Sequence, residues 1–352
     1  MPKIAFLADL NSVHIQRYAD YFKSKGWDVV GIDYKEGNAN WKYEKIQLPY
    51  SNTKLFFLNK NKLKEVLNKI KSDVVSAHYV TTYGFLGALS KYKPLVVSAI
   101  GSDILVNPNN PLLRMFVKKS LKAADKVLVD GLFTKNILKE LGRTEDVEVV
   151  YYGVDINKFN PEVENKRKEL NLENNYVVGS FRNFYDIYSI ETLIKAAPLV
   201  IKEILNAKFL IVGGGPLKNK IEQLAKDLNI YDKIIFTGYV EHDKLPPYIK
   251  TCNVYISTSL SDTTSVSLLE ALAVGLPCVV TEIEGNKEWV NGKNGLFFKT
   301  RDHNELANQI IKISKAKLNN VSQLNFNLIK EKAEWSKNME KAEQIMLSLI
   351  KK

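Results

Sequence analysis

The chain has 352 residues, of which 45% are hydrophobic and 25% charged, and its formal net charge is +11 at pH 7. The length exceeds what one hydrophobic core usually serves, so we expect two domains of ordinary globular composition. No stretch reaches the roughly 20 apolar residues of a membrane-spanning helix. Cys252 and Cys278 lie in apolar runs without the spacing of a zinc site or a disulfide framework, so a cytoplasmic location is expected.

Short apolar runs alternate with amphipathic segments along the first half of the chain. Strands are expected at residues 4–8, 27–32, 74–75, 95–100, 126–129 and 147–151. Helices are expected between them, at residues 13–25, 59–70, 84–91, 111–124 and 133–141. This alternation is typical of a parallel sheet wrapped by helices.

The same alternation begins again after residues 153–162, where glycine, proline and charged residues indicate a domain boundary. Strands are expected at residues 176–180, 208–212, 234–237, 254–256 and 277–281, and helices at 190–204, 217–228, 244–250 and 266–273. Two similar α/β domains with a short hinge predict a cleft between them, because ligands of open α/β sheets bind beyond the carboxyl ends of the strands.

Basic residues are densest in two segments of the first half, residues 54–71 and 114–122. In the segment 111–124, one predicted helical face carries Arg114, Lys118 and Lys122, and the other side is apolar, with Leu112, Leu113, Phe116, Val117 and Leu121. Two interpretations stay open. The segment is either a solvated surface helix packed through its apolar face, or part of a surface that attracts an anionic partner such as lipid.

Two carboxylates flank a hydroxyl-rich segment in the second half. Asp262 lies in a polar loop, and Glu270 follows inside an apolar helical run. Between them, Thr263, Thr264 and Ser265 have the composition of a helix start, where free backbone N–H groups bind anions such as phosphate. Two acids around a phosphate site suit a sugar nucleotide, which has a diphosphate in the middle and hydroxyl-rich groups at both ends.

Other strand ends of the second half carry ligand-type residues. Arg182 comes just after the strand 176–180, where a guanidinium can hold a diphosphate, although a salt-bridged structural arginine is an equal alternative. Gly214 belongs to a glycine-rich turn that is otherwise a tight strand-to-helix connection. Val240 follows an open Gly238-Tyr239 backbone that could meet a flat base.

In the first half, polar residues again follow predicted strands. Each of them could contact a substrate or could have a purely structural role. They are Asn11, Ser12, His14, His78, Ser102 and Asp103. No Asp-x-Asp pair, Cys/His cluster, Gly-x-Ser-x-Gly elbow or nucleic-acid motif is found. No metal site and no nucleic-acid partner are therefore expected.

Together these motifs resemble the family 4 retaining glycosyltransferases. The Asp262-x7-Glu270 segment is similar to the family's E-x7-E motif. Supporting matches are Tyr152-Gly153-Val154-Asp155 with Phe159, Leu193-Ile194-Lys195-Ala196, Gly214-Gly215-Pro216, Phe236-Thr237-Gly238, Leu269 to Pro277, and Asn294-Gly295-Leu296. The chain departs from the family where Asp262 replaces a glutamate, Tyr188 stands in place of a phosphate-binding lysine, and Ile100 stands in place of a histidine.

The resemblance implies the α/β GT-B fold, with two Rossmann-like domains facing a central cleft. It assigns residues 1–155 to an acceptor domain and 156–334 to a donor domain, with a final helix, residues 335–352, crossing back to the first domain. It implies a metal-independent, cofactor-free, retaining hexosyltransferase that uses a nucleotide sugar, by family frequency a UDP-sugar, and a glycan or lipid-linked acceptor.

Under this resemblance, the catalytic residues would be Asp262, Arg182 and Asp103. The donor would contact Glu270, Thr263, Thr264, Ser265, Gly214, Val240 and Tyr188, and the acceptor would contact Asn11, Ser12, His14, His78 and Ser102. Two other classes stay open. One is a GT-B epimerase or phosphorylase, and the other is a catalytically weak protein that binds nucleotide sugars or carbohydrate.

Overall fold

The computed structural model describes residues 1–37 and 41–350, in two compact units. The first unit comprises Met1–Tyr152 and Ser336–Lys352, and the second comprises Gly153–Trp335. Residues 351 and 352, at the end of the expected final helix, lie outside the described residues. The expectation of two α/β units is confirmed.

The first unit is built on a parallel sheet of seven strands. Its strands are β1 (Lys3–Leu7), β2 (Asp28–Asp33), β3 (Glu44–Gln47), β4 (Val74–His78), β5 (Leu95–Ala99), β6 (Lys126–Val129) and β7 (Val147–Val149). The strand order is β3-β2-β1-β4-β5-β6-β7. Strand β3 was not predicted, because this polar and largely exposed edge strand has no apolar run to mark it.

Helices cover the faces of this sheet. They are α1 (Val13–Ser24), α2 (Lys60–Ile70), α3 (Phe85–Ser90), α4 (Ser102–Leu105), α5 (Pro111–Ala123) and α6 (Leu132–Glu140), with a 3₁₀ turn at Phe56–Asn59 and a π-helical turn at Val80–Gly84. Local chemistry explains where α5 begins. The side chain of Asn110 accepts hydrogen bonds from the Leu112 and Leu113 amides, and proline stands at the first helical position.

The second unit contains a parallel sheet of six strands. Its strands are β8 (Tyr176–Ser180), β9 (Ala207–Val212), β10 (Ile234–Gly238), β11 (Val254–Ser257), β12 (Cys278–Thr281) and β13 (Gly295–Phe298), in the order β10-β9-β8-β11-β12-β13. The helices are α7 (Ile190–Glu203), α8 (Lys218–Asp227), α9 (Leu245–Thr251), α10 (Val266–Ala273), α11 (Glu284–Lys287), α12 (His303–Lys315) and α13 (Val321–Lys332).

The last helix, α14 (Trp335–Ile350), packs on the first unit although it follows the second in sequence. Its Glu343 accepts a hydrogen bond from Trp27 Nε1 at 2.8 Å and one from the Tyr21 hydroxyl at 3.2 Å. The Asn338 side chain accepts from the Tyr151 amide at 3.0 Å. These contacts agree with the expected return of the final helix to the first unit.

One expectation about α5 is wrong. Leu112 was placed on the apolar face that packs on the protein, but its side chain is 56% exposed. It lies in the first turn of the helix, beyond the part that Val117 and Leu121 bury against the sheet. None of the helices within the described ranges is long and apolar enough to cross a bilayer.

Each sheet has a point where the chain reverses its direction of strand addition. In the first unit this point lies between β1 and β4, and in the second between β8 and β11. At such a point, the loops after the two neighbouring strands diverge and leave a crevice for a ligand. The loops that follow β8 and β11 contain Arg182 and Asp262.

Candidate active site

The loops after β8 and β11 meet through the side chain of Arg182. Its Nη2 atom donates to Asp262 Oδ2 at 2.5 Å, and its Nη1 atom donates to Ser265 Oγ at 2.8 Å and to Ser267 Oγ at 3.3 Å. The Arg182 side chain is only 9% exposed, and that of Asp262 is 19% exposed. The ion pair therefore lies in a largely desolvated place, where electrostatic interactions are stronger than in water.

Hydroxyl groups extend this cluster towards the sheet. The phenol of Tyr255 on β11 lies 2.8 Å from Ser267 Oγ, which is 3.2 Å from Ser265 Oγ. Burial alone would lower the pKa of Arg182, but Asp262 and the neighbouring tyrosines hold it above its ordinary value, so the guanidinium stays charged. Burial raises the pKa of Tyr255, which keeps this phenol neutral.

Glycines let the loops after β8 and β9 approach each other closely. A Cβ on Gly213 would lie 2.4 Å from the Arg182 carbonyl oxygen, and one on Gly215 would lie 2.7 Å from the Phe184 carbonyl oxygen. Both glycines have φ near +150°, which other residues rarely adopt. Gly214 is different, because a Cβ there would meet nothing within 4 Å. The side of the turn at Gly214 is thus open to a ligand.

Ser265 caps the N-terminus of α10, and the helix start predicted for this segment is where the sequence placed it. Its side chain accepts from the Leu268 amide at 3.4 Å, and Thr263 and Thr264 are buried just before it. The backbone of this loop is held by α11, because a Cβ on Gly285 would lie 2.3 Å from the Asp262 carbonyl oxygen. The close packing keeps Asp262 next to the start of α10.

Glu270, the second carboxylate of the motif, is 3% exposed in the middle of α10. The His242 Nε2 atom lies 2.6 Å from its Oε1 atom. His242 belongs to the turn between β10 and α9, and its ring packs against Phe159 with centroids 5.2 Å apart. Val240, expected near the base, is part of the same connection and is partly buried.

His242 was missed by the sequence analysis. It lies 28 positions from Glu270 and in no recognisable spacing with it. The signal that could have indicated it is its place in the loop after a predicted strand, beside the Gly238-Tyr239-Val240 backbone already considered as a base site.

In the first unit, Asp103 and His78 are placed in the interior. The Asp103 carboxylate accepts hydrogen bonds from the amides of Val80, Ile100 and Gly101, at 2.8, 3.2 and 2.9 Å, and burial raises its pKa to about 6. His78 is 2% exposed, its Nε2 atom lies 3.0 Å from Ser76 Oγ, and burial lowers its pKa to about 3. For both residues this geometry favours a structural role over direct contact with a substrate.

The other expected acceptor residues are nearer the surface. Asn11 is exposed after β1, where its side-chain amide donates to Asp9 Oδ1 at 3.2 Å. Ser12 precedes α1, and the partly buried His14 ring lies 4.7 Å from that of Tyr152. Ser102 is exposed after β5, with its hydroxyl 2.7 Å from the Tyr79 phenol. Tyr79 itself has a positive φ of 85°, a strained conformation that is frequent at functional sites.

Within residues 1–37 and 41–350, no group of three His, Cys, Asp or Glu side chains is arranged to hold a metal ion. Cys252 and Cys278 are both free and buried in the second unit.

Comparisons with known proteins agree with this architecture. Residues 162–340 match the family described as glycosyl transferases group 1, and residues 3–131 match a family described as glycosyl transferase 4-like. The chain belongs to the glycosyl transferases group 1 family.

Among characterised relatives, this group 1 glycosyltransferase is 26% identical to the N-acetyl-alpha-D-glucosaminyl L-malate synthase of Bacillus anthracis, over 72% of this chain and 68% of the relative. It is 25% identical to an Escherichia coli UDP-Gal:alpha-D-GlcNAc-diphosphoundecaprenol alpha-1,3-galactosyltransferase, over 76% of this chain and 75% of the relative.

Solved structures show the same fold. A sucrose-phosphate synthase from Thermosynechococcus elongatus superimposes with a TM-score of 0.85 at 19% identity, covering 100% of both chains. Anabaena HepE in complex with UDP-glucose superimposes with a TM-score of 0.82 at 20% identity, covering 99% of this chain and 100% of that one. The GT-B fold expected from the sequence is confirmed.

One departure of this group 1 glycosyltransferase from the family pattern has a clear structural counterpart. Tyr188, which the resemblance aligns with a lysine of the family, stacks on Arg182, with the guanidinium carbon 4.0 Å from the ring centroid. A cation over an aromatic face is stabilised by the ring quadrupole. The ring of Tyr188 thus stabilises the Arg182 guanidinium without adding a charge.

Proposed function

We propose that the protein transfers a hexosyl group from a nucleoside diphosphate sugar to a hydroxyl group, with retention at the anomeric carbon. The observation that carries this proposal is the meeting of Arg182, Asp262 and Ser265 at the point of strand reversal in the second unit. One buried cation, a helix start and a carboxylate suit a donor with a diphosphate next to a sugar.

The leaving group would be stabilised by Arg182 and the first amides of α10. Negative charge grows on the diphosphate as the glycosidic bond breaks, and donors already oriented in a water-poor site stabilise that charge more in the transition state than in the ground state. The open turn at Gly214 would give the phosphates close access to the backbone.

The nucleoside would lie along the β10–α9 connection. Glu270 is a buried carboxylate whose Oε1 atom already pairs with His242, and ribose hydroxyl groups would donate to the carboxylate. The backbone around Val240 would contact the base. A UDP-sugar is the donor that we propose, and support comes from the UDP-glucose bound in the related Anabaena structure.

Asp262 would have two partners in turn. Without donor it holds Arg182, the same cation that the diphosphate needs. Donor binding would therefore replace the carboxylate at Arg182 with phosphate oxygens and release Asp262 to orient the sugar and offset positive charge at the anomeric carbon. We propose substitution on the same face of the sugar, as the family resemblance implies, without an enzyme nucleophile, a metal ion or a cofactor.

The acceptor would be held by the first unit, near Asn11, Ser12, His14 and Ser102. A glycan or lipid-linked acceptor at a cytoplasmic location is proposed, and the acceptor named for the Escherichia coli relative is a lipid diphosphate.

A nucleotide-release assay tests this proposal. The protein is incubated with a panel of UDP-, GDP- and ADP-sugars, with and without a lipid extract, and the free nucleotide and the anomeric configuration of the product are measured. Acceptor-dependent UDP release with an α-linked product from an α-linked donor supports the proposal. Phosphate-dependent turnover would identify a phosphorylase instead, an epimerised donor an epimerase, and UDP binding without turnover a binding protein.

A further inference from the structure

Two acid-free segments of the first unit carry exposed apolar side chains among cations. The first segment, residues 50–64, includes the Phe56–Asn59 turn and the start of α2. The second, residues 104–124, includes α5. Neither contains an aspartate or a glutamate. We call the two together the apolar-basic surface.

The apolar members of this surface are 36% to 56% exposed, namely Tyr50, Leu55, Phe57, Leu58, Leu112 and Met115, with Val106 at 44%. The cations beside them are also exposed, namely Lys54, Lys60, Lys64, Arg114, Lys118, Lys119 and Lys122. Single exposed apolar residues are normal on a protein surface, but a group of large ones ringed by cations indicates an interaction site.

Aromatic contacts join the two segments. The ring of Phe116 on α5 stacks on that of Phe85 with centroids 4.0 Å apart, and the ring of Phe56 lies 6.4 Å from Phe116 and 6.2 Å from Phe85. The Lys119 ammonium lies 5.7 Å from the Phe85 ring centroid. The exposed residues therefore flank one shared aromatic cluster and belong to neighbouring parts of the surface.

We propose that the apolar-basic surface docks on an anionic lipid bilayer, with Leu112, Met115 and Leu58 entering the interface between headgroups and acyl chains. Its charge complements anionic headgroups, and its apolar residues need a medium that takes them out of water. A purely ionic polyanion would satisfy only the cations. The inference rests on the proposed function only for its purpose, which is to bring the protein to a lipid-linked acceptor.

Vesicle co-sedimentation without donor tests the docking itself. The wild-type protein is expected to bind phosphatidylglycerol-containing vesicles at low salt, to bind pure phosphatidylcholine vesicles much less, and to lose affinity as salt is added. Replacing Arg114, Lys118 and Lys122 together with Gln should weaken binding roughly a hundredfold, at about fivefold per charge. Replacing Leu58, Leu112 and Met115 together with Ser should weaken it by at least about tenfold.

Matched controls come from the second unit. Replacing Lys218, Lys220 and Lys226 of α8 with Gln removes equal charge, and Leu205→Ser removes an 82% exposed apolar side chain. Both variants should therefore bind vesicles as the wild type does.

Two results would overturn the proposal. One is a wild-type protein that does not bind vesicles at low salt. The other is unchanged binding when Leu58, Leu112 and Met115 are replaced together with Ser, since the surface would then serve only a polyanion. UDP affinity, measured on every variant, should stay at the wild-type value. Vesicle binding by a protein that releases no nucleotide would refute the proposed function and leave the docking inference standing.

Discussion

His242 Nε2 lies 2.6 Å from Oε1 of Glu270, a carboxylate that is almost completely buried in α10. Burying an unpaired carboxylate costs free energy of desolvation, and the contact with His242 offsets part of that cost. The pairing also fixes the direction of the carboxylate, which our proposal assigns to the donor ribose. His242 is thus a positioning residue, and the two side chains should act as a unit.

Glu270→Ala is expected to weaken UDP binding by about 1.5–3 kcal/mol, the contribution of a hydrogen bond to a charged group. His242→Ala should weaken it less, and the double variant should bind much like Glu270→Ala alone, because the histidine acts through the carboxylate. Isothermal titration calorimetry with UDP measures all three, with His303→Ala as the control. Additive losses in the double variant would show that His242 contacts the nucleotide by itself.

Asp262→Asn should change UDP affinity and turnover in opposite directions. The substitution keeps the side-chain shape but removes the charge that now competes with the diphosphate for Arg182. UDP should therefore bind several-fold more tightly, while turnover falls because no carboxylate offsets the charge at the anomeric carbon. Equal or weaker UDP binding by a folded Asp262→Asn protein would mean that the ion pair does not compete with the donor.

Arg182→Ala should lower turnover by about 10²–10³, the scale for losing one preorganised donor to a developing charge. The reason is that Tyr188 supplies no second charge where the family has a lysine, so Arg182 carries most of the side-chain charge for the diphosphate. UDP release under saturating donor measures the effect, and Lys220→Ala, an exposed cation of the same unit, is the control. Near-normal turnover would place the phosphate site elsewhere.

Tyr188→Lys is expected to tighten UDP binding, because it adds a cation near the diphosphate. The same change removes the ring that stacks on Arg182 at 4.0 Å, so Tyr188→Leu serves as the control that removes the ring without adding charge. Tighter binding by the lysine variant and weaker binding by the leucine variant would support both roles. If both variants weaken binding equally, the lysine position is wrongly aligned.

His78 should make the protein less stable in acid. Its pKa is lowered from 6.5 to about 3 by burial, so the unfolded chain takes up a proton below about pH 6.5 that the folded chain does not. The slope sets in near pH 6.5 and should reach about 1.4 kcal/mol per pH unit from this residue between about pH 5.5 and 4. His78→Phe should remove that slope in urea unfolding. Asp103, whose pKa is raised by burial, changes the stability in the opposite direction as the pH falls. Its contribution is the same in the wild type and in His78→Phe, so it cancels in their difference. If His78→Phe and the wild type lose stability with falling pH in the same way, His78 does not stay neutral in the folded protein.

Much of the fold could be read from local patterns. The apolar runs of β1, β8 and β12 are buried on both faces of a parallel sheet, so burial and sequence pattern coincide there. Strand β3 has no such pattern, because an edge strand is exposed and its pairing with β2 comes from backbone hydrogen bonds that any residue can make. The position of Leu112 was misjudged for a related reason, since helical periodicity does not say how far along α5 the packing extends.

The sequence by itself determined the family and the types of residue at the strand ends, because Asp262, Glu270 and the start of α10 stand close together in the chain. Only the tertiary structure decided which of these residues meet. Arg182 reaches Asp262 across 80 positions because β8 and β11 are neighbours in the sheet, and His242 reaches Glu270 because the β10–α9 turn lies beside α10. Long-range contacts of this kind leave no local periodicity, since they depend on strand order. Only the structure likewise shows that His78, at the end of β4, and Asp103, in the turn after β5, are buried in the interior of the first unit.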